Sequence, residues 1–563
     1  MRFSLFLISL LFLCTSDGFE GPFSETEYQQ LSEKYQTIST QIRNLNITQK
    51  IKIKTSSPSS IAQIVFGTKK MGYFSTQNWR AEKDFVELQF LPPTYKEPID
   101  IYLETKSGQR KFVGKYHFRE PQWPSSFRSQ FTRLGDTDIG FFLSSIAIPV
   151  NSRYVYFPVI FNRYGEVIWI FASTDPEIFF YLPPTLKVLS NGQILAANRR
   201  WQSFLIKIDL IQGIVQKKTF GFDQAQFVHP IDVDEKTSRI FALSADCVEL
   251  GRWKDPALVF SGFEGFFNRL MLPRRRVLSS KLLEIDLDSL NLKQTIWSTL
   301  DSFDPGQTLN QSLDPITYDK YLYVGNRDQY RELMNENMGS AFRGPTGCES
   351  EWLHENSIQY IENKGFLISA KTINKIFFVD EKSRQISWSI GGNPQDTFQL
   401  PLEDRFYQQH AAFLDGESDL YLFDNGGMSV GRRGFDLPSR VLHFKLDFVN
   451  RKSQRIHDFA FNVRLKQPLR GELIKTGRSE LFVYLPGDYG SLERFMVLNL
   501  EPPQRVTYQL IRHQNYYNTN IRAVPLFSIG SFRQLPSIEE PTKASPSGHP
   551  GPSIDEQLLY ETY

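Results

Sequence analysis

A single theme recurs along most of this chain and limits what it can fold into. A strand closes on an acidic residue, a tight turn follows, and a second strand often carries a tryptophan. Phe161-Asn162-Arg163-Tyr164-Gly165-Glu166-Val167-Ile168-Trp169 is one instance, and Leu205-Ile206-Lys207-Ile208-Asp209-Leu210 running on to Val215 is another. Leu283-Glu284-Ile285-Asp286-Leu287 leads to Trp297, and Phe378-Val379-Asp380 leads to Trp388. Val441-Leu442-His443-Phe444-Lys445-Leu446-Asp447 continues the series without a tryptophan. Degenerate hairpins over about 400 residues, with no convincing long helices between them, predict an all-β chain built as a β-propeller. The spacings are uneven, so the repeats alone leave the number of blades open. A pair of unrelated β-sandwiches is the plainer alternative. Trp169, Trp297 and Trp388 occupy repeat-equivalent places and read as packing between strands rather than as stacking platforms for a substrate.

Ahead of the repeats the pattern differs. Residues 20–45 carry Glu, Gln, Tyr and Leu at helix-compatible spacing. From Ile51 to Phe118 short stretches alternate, as in Lys50-Ile51-Lys52-Ile53-Lys54, Phe85-Val86-Glu87-Leu88-Gln89-Phe90 and Ile99-Asp100-Ile101-Tyr102-Leu103. Alternation of this kind between Ser, Pro and Gly predicts a small β-sandwich. Pro121-Gln122-Trp123-Pro124 reads as a linker. With 563 residues, the chain is too long for one ordinary domain. Aromatic residues make up 14% of it, which suits pleated, half-buried surfaces. Sixty-four basic residues against 62 acidic ones give a net charge of +2, so no bulk field points to nucleic acid. The run Arg274-Arg275-Arg276 stands without a second basic cluster or interleaved aromatics and reads as a solvated loop.

Met1-Arg2, an apolar run from Phe3 to Leu13, and small or polar residues from Thr15 to Gly18 have the layout of a secretory signal peptide. The apolar run is too short for a membrane span, and no later stretch approaches the ~20 apolar residues that a spanning helix needs. The expected location is therefore secreted or otherwise extracytoplasmic. Cys14 follows Leu13 rather than a small residue, which argues against a lipoprotein anchor. Cleavage near Ser16 or Gly18 would leave Cys247 and Cys348, whose pairing the sequence leaves open. Asn46-Ile47-Thr48 and Asn310-Gln311-Ser312 are glycosylation sequons, meaningful only in a eukaryotic host. From Pro536 onward Pro, Ser, Glu and Gly dominate, a composition that predicts disorder. The expected division is a signal peptide at 1–18, a helix and β-sandwich domain at 19–125, a propeller at 126–535 and a tail at 536–563.

Between Glu351 and Asn425 three polar clusters interrupt the strand pattern. They are Glu351-Trp352-Leu353-His354-Glu355-Asn356-Ser357, Ser369-Ala370-Lys371 and Gln408-Gln409-His410, with Phe423-Asp424-Asn425-Gly426 closing the block. In a propeller, strand ends from successive blades meet around a central opening, so His354, Lys371 and His410 are expected to converge. A neutral imidazole is a competent nucleophile, its ordinary pKa lying near 6.5. Attack by such a nitrogen on an anionic ester needs cations or amide donors around the ester's oxygens. The chain has only 8 histidines, and a histidine on a strand is more often structural than catalytic. His117, His443, His457, His513 and His549 are assigned to that structural group. Asp424-Asn425-Gly426 reads as a tight turn, since Asn-Gly favours positive φ. No His-x-x-x-His spacing points to zinc, no Walker loop to a nucleotide donor, and no Gly-x-Ser-x-Gly elbow to a serine hydrolase. No metal or other cofactor is called for.

These clusters, in this order and spacing, resemble the aryl-sulfate sulfotransferase family. The strongest part runs from Trp352-Leu353-His354-Glu355-Asn356-Ser357 through Gln409-His410 to Phe423-Asp424-Asn425-Gly426, within a likeness covering about 130 to 500. The resemblance implies a six-bladed β-propeller after a small N-terminal β-domain. It also implies transfer of sulfate from a phenolic ester to a phenol without a nucleotide donor. His410 matches the family's sulfohistidine position, and His354 and Asn356 match its His-x-Asn pair. His229, in Val228-His229-Pro230-Ile231-Asp232, is the counterpart of an upstream histidine motif that is usually His-His-Asp. Lys371 stands where the family has arginine, which keeps the charge but loses the planar fork that grips two oxygens. Small phenolic sulfates and phenols are the partners this implies, and the oligomeric state is left open. Lys371 and Pro230 are the departures that favour a rival reading, a non-catalytic propeller that binds a sulfated or anionic ligand or a protein.

Overall fold

A computed structural model describes residues 25–45, 49–55, 58–76, 79–81, 85–127, 130–151, 153–173, 175, 177–180, 184–198, 203–221, 224–249, 276–303, 350–351, 353–371, 373–392, 395–426, 438–461, 471–486, 492–513, 524–526 and 533–534. The expected signal peptide, both sequons, Cys348 and the expected disordered tail lie outside these residues. Among the described residues there is one α-helix, Glu25–Arg43, and no helix there is long and apolar enough to cross a membrane. Leu31, Tyr35, Ile38 and Ile42 recur every three or four residues, which places them on one face. That face is buried against the strands Phe141–Val150 and Arg153–Asn162, where Tyr35 stacks on Phe157 at 4.4 Å.

The alternating segments form two small antiparallel sheets. One orders Gln49–Lys54, Phe85–Phe90 and Trp79–Ala81; the other contains Gly72–Thr76, Ile61–Thr68, Ile99–Thr105 and Arg110–Tyr116. The strand Phe85–Phe90 buries every second residue, and its Phe90 meets Phe66 of the other sheet at 5.0 Å. Both sheets bury their apolar residues in one cluster with Phe141, Phe142 and Tyr508. A short strand from far downstream, Arg533–Gln534, adds to the edge at Gly72–Thr76. Glu166 makes the polar seam: its carboxylate accepts from the Thr94 hydroxyl at 2.5 Å and from the Tyr95 N–H at 3.2 Å.

The remainder is β-propeller-like: small up-and-down sheets packed side by side, not two large facing sheets. In chain order they begin at Phe141–Val150, Thr185–Val188, Phe227–Asp234, Glu355–Ile361, His410–Asp415 and Glu472–Lys475. Neighbouring sheets are joined along their first strands. Asp232 takes an ion pair from Lys187 at 3.1 Å and the Tyr360 N–H at 2.7 Å. Gln359 exchanges two hydrogen bonds with the main chain of Leu414, and Lys475 pairs with Asp415. Trp169 donates to the Leu210 carbonyl at 2.9 Å, and the Tyr508 hydroxyl donates to the Arg163 carbonyl at 2.7 Å. The tryptophans pack between strands as expected; Trp169, Trp297 and Trp388 are all buried. Two strands remote in sequence complete the first and last of these sheets. Gln130–Gly135 pairs with Arg505–His513, and Val524–Leu526 pairs with Phe141–Leu143 of the strand Phe141–Val150.

Candidate active site

The first strands of two neighbouring sheets run alongside each other in the same direction. Asn356 donates to the Gln409 carbonyl at 2.7 Å, Ser357 accepts from the Ala412 N–H at 3.2 Å, and Gln359 accepts from the Leu414 N–H at 2.7 Å. Partners therefore climb both strands together, and the two starts lie at the same end. That end carries His354 and His410. Their rings meet edge to face, with centroids 6.5 Å apart.

Regular pairing breaks where these side chains are presented. The ladder slips between His410 and Phe413, and again between Glu355 and Ser357. A bulge of this kind bends the strand and re-aims a side chain. His354, Gln408 and Ala411 have φ values of 53°, 54° and 50°, the left-handed region that costs a residue with a Cβ free energy. Three such residues at one strand end need a surrounding framework, and buried polar contacts supply it. The Gln408 N–H donates to the Asn374 side chain at 2.7 Å. The Gln409 amide nitrogen faces the Ser369 hydroxyl at 3.0 Å and the Ala370 and Lys375 carbonyls at 3.1 and 3.0 Å. The His354 carbonyl accepts from the Lys371 N–H at 3.1 Å. Behind His354, Glu355 is buried and accepts from the hydroxyls of Ser280 and Thr299.

His410 is buried, and its Nδ1 faces two oxygens. The Gln408 carbonyl lies at 3.1 Å and Asn425 Oδ1 at 2.6 Å. A carbonyl oxygen only accepts, so Nδ1 carries the proton in the neutral ring and the basic lone pair resides on Nε2. Asn425 is held from behind. Its carbonyl accepts from the Ser439 hydroxyl at 3.0 Å. Asp424, fully buried, accepts from the N–H groups of Tyr407 and Gly426 and from Arg440 Nε at 2.8 Å. Burial pushes the Asp424 carboxyl upward, against the pull of Arg440 and the two N–H groups.

Of the five residues named from sequence, His354, Asn356, Lys371 and His410 thus lie around one strand end. Lys371, half-buried, follows the second strand of the His354 sheet. His229 sits in the irregular stretch between Phe227 and Ile231, near the start of the first strand of the preceding sheet; its side chain lies outside the described residues. Asn356 uses its amide to hold the Gln409 carbonyl. Asn425 escaped sequence reasoning because Asp424-Asn425-Gly426 has the composition of a turn, and Gly426 does have φ of 64°. The signal for its second role was register: Phe423 pairs with His410, and a residue two further on returns to the same face.

Fold and site together define a β-propeller-like protein with a paired-histidine centre at the starts of adjacent strands. Residues 275–462 match the family model described as Arylsulfotransferase (ASST). The resemblance to the aryl-sulfate sulfotransferase family is shown over that stretch, which contains His354, Asn356, Lys371, His410 and Asn425 but not His229. At family level the match supports an aryl sulfotransferase activity and implies phenolic substrates. No curated protein matches the chain. Solved structures similar to it include a protein of unknown function from Bacteroides caccae, 11% identical, covering 71% of this chain and 94% of its own with a TM-score of 0.29. Kuenenia stuttgartiensis hydrazine synthase is 8% identical, with coverage of 62% and 74% and a TM-score of 0.31. Apo AztD from Citrobacter koseri is 10% identical, with coverage of 70% and 98% and a TM-score of 0.27.

Proposed function

We propose that the chain moves a sulfuryl group from a phenolic sulfate ester to a phenolic acceptor, without a nucleotide donor, through a sulfohistidine at His410. The observation that carries this reading is the edge-to-face pair of His354 and His410 within the matched family stretch. In the first half-reaction an imidazole nitrogen of His410 bonds to sulfur as the bond between sulfur and the aryl oxygen breaks. The departing phenoxide takes a proton from His354 or His229. In the second, the acceptor phenol gives its proton to that same histidine, its oxygen attacks sulfur, and the nitrogen–sulfur bond breaks. Lys371 and the second N–H of the Asn356 amide, whose first holds the Gln409 carbonyl, bind the sulfonate oxygens, where donors and positive charge count most because charge spreads over them in the transition state.

The fold that accompanies this reading is a six-bladed propeller, one blade for each meander sheet, behind an N-terminal β-sandwich made of the two small sheets. The protein works outside the cytoplasm after loss of residues 1–18; N-terminal sequencing of the secreted form would test that part, and an intact Met1 would refute it. The test of function is incubation of the mature protein with 4-nitrophenyl sulfate, with and without phenol, beside His410→Ala. Phenol-dependent nitrophenol release that vanishes in the variant is expected. Absence of release from the unaltered protein across several aryl sulfates would refute transfer and leave the site as one that only binds an anion.

A further inference from the structure

We infer that Asn425 is a positioning residue that, with the Gln408 carbonyl, fixes His410 as the Nδ1–H tautomer and so selects Nε2 as the nitrogen that takes up the sulfuryl group. This rests on the transfer reading above. The geometry is specific. Two oxygens converge on Nδ1, at 2.6 Å from Asn425 and 3.1 Å from Gln408. The main-chain oxygen cannot donate, so the proton on Nδ1 is required, and the 2.6 Å contact identifies Asn425 as the closer acceptor. Asn425 is itself fixed by Ser439 and by its neighbour Asp424, which Arg440 anchors.

The arrangement has a chemical consequence. When Nε2 bonds to sulfur and the aryl oxygen departs, the ring becomes positively charged while the Nδ1 proton stays in place. The Nδ1–H group then becomes a stronger donor, so its bond to Asn425 tightens as the transition state is approached. Such an interaction raises turnover more than it raises substrate affinity.

Histidine-selective 15N labelling of the full mature chain, with the His410 resonances assigned through His410→Gln, reads the tautomer directly. A pyrrole-type Nδ1 and a pyridine-type Nε2 are expected; a protonated Nε2 in the neutral ring would overturn the inference. Asn425→Leu should lower kcat on 4-nitrophenyl sulfate by about 10–100-fold, with KM within about threefold. Asn425→Asp keeps an acceptor oxygen and the shape. It should preserve the tautomer, retain more activity than the leucine variant, and move the acid limb of the pH–rate profile to higher pH, because a carboxylate favours the charged ring. Unchanged kcat and tautomer in a folded Asn425→Leu protein would sink the idea, as would equal kcat losses in both variants with no movement of the profile. The expected tautomer in a protein that turns over no aryl sulfate would uphold the positioning by Asn425 and refute transfer itself, so the two failures are told apart.

Discussion

Replacing Arg440 by leucine tests the framework behind the site most directly. The guanidinium donates to Asp424 at 2.8 Å, to Asp458 at 3.0 Å and to the Arg405 carbonyl at 2.7 Å, and the Asp424 side chain is fully buried. Removing one member of a buried pair strands the other, at a typical cost of about 3–5 kcal/mol. Unfolding entropy is roughly 2 cal/mol/K per residue, so over a cooperative unit of about 400 residues that cost lowers Tm by about 4–6 °C. The loss should depend on pH. The Asp424 carboxyl is already raised by burial, and without Arg440 it rises further. A carboxyl raised in the folded state binds its proton more tightly there than in the unfolded chain. The deficit is therefore full above the raised folded pKa and shrinks as pH falls through it toward the ordinary carboxylate range. Asp424→Asn in the Arg440→Leu background removes the stranded charge and keeps an oxygen for the Tyr407 and Gly426 N–H groups, so it should recover more than half of the loss. Thermal melts of both single variants and the double variant, between pH 4 and pH 8, decide it. A drop below about 1 °C in Arg440→Leu, or a double variant no better than the single, would refute the argument that the pair is held by burial rather than by exposed charge attraction.

His443 and His457 stack at 5.2 Å, and burial holds both below the ordinary histidine range, the effect outweighing the Asp419 carboxylate beside His443. The unfolded chain then takes up protons first, so stability should fall as pH drops below about 6.5, and His443→Asn with His457→Gln should flatten that fall in melts from pH 7.5 to 5.5. A β-carbon on Gly471 would lie 2.5 Å from the ring of Phe423, the strand partner of His410. Gly471→Ala should therefore cost about 1–3 kcal/mol by urea denaturation and lower transfer activity; an unaltered midpoint would show that the ring yields freely. Lys371→Met should lower kcat/KM on an aryl sulfate by about 10–100-fold through loss of a charged donor, whereas Lys371→Arg should retain activity. Equal activity in the methionine variant would remove Lys371 from the sulfonate site.

Much of this was legible because hairpins leave a local record. Strand, acidic turn and tryptophan predicted the meander sheets, and alternation predicted Phe85–Phe90 and its neighbours. His354 and His410 lie 56 positions apart, close to the 55-residue step that separates Ser357 from Ala412 and Gln359 from Leu414 across the same two sheets. That step does not hold along the chain. Lys187 to Asp232 spans 45 residues, and Asp232 to Tyr360 spans 128. Uneven steps hid the repeat. The tautomer of His410 was illegible for another reason: it depends on a register slip and on three left-handed residues, which arise from pairing across strands and leave no mark in composition. The chain ends are similar, since nothing in Arg533–Gln534 announces an edge pairing with Gly72–Thr76.

The pairing of Gln130–Gly135 with Arg505–His513 also bears on how the molecule is made. A ribosome releases the first of these strands about 370 residues before the start of its partner, roughly 20–70 s earlier at ordinary elongation rates. Throughout that interval the earlier strand has no sheet to join, and its unpaired main-chain groups are open to any other extended segment nearby. The sheets in between can form one after another as they emerge, yet the last of them can acquire its final strand only by reaching back to a segment made near the start. Emergence of Arg505–His513, rather than formation of any single hairpin, is thus the event on which assembly waits, and a polypeptide stopped short of Arg505 would keep that segment exposed for as long as it survived.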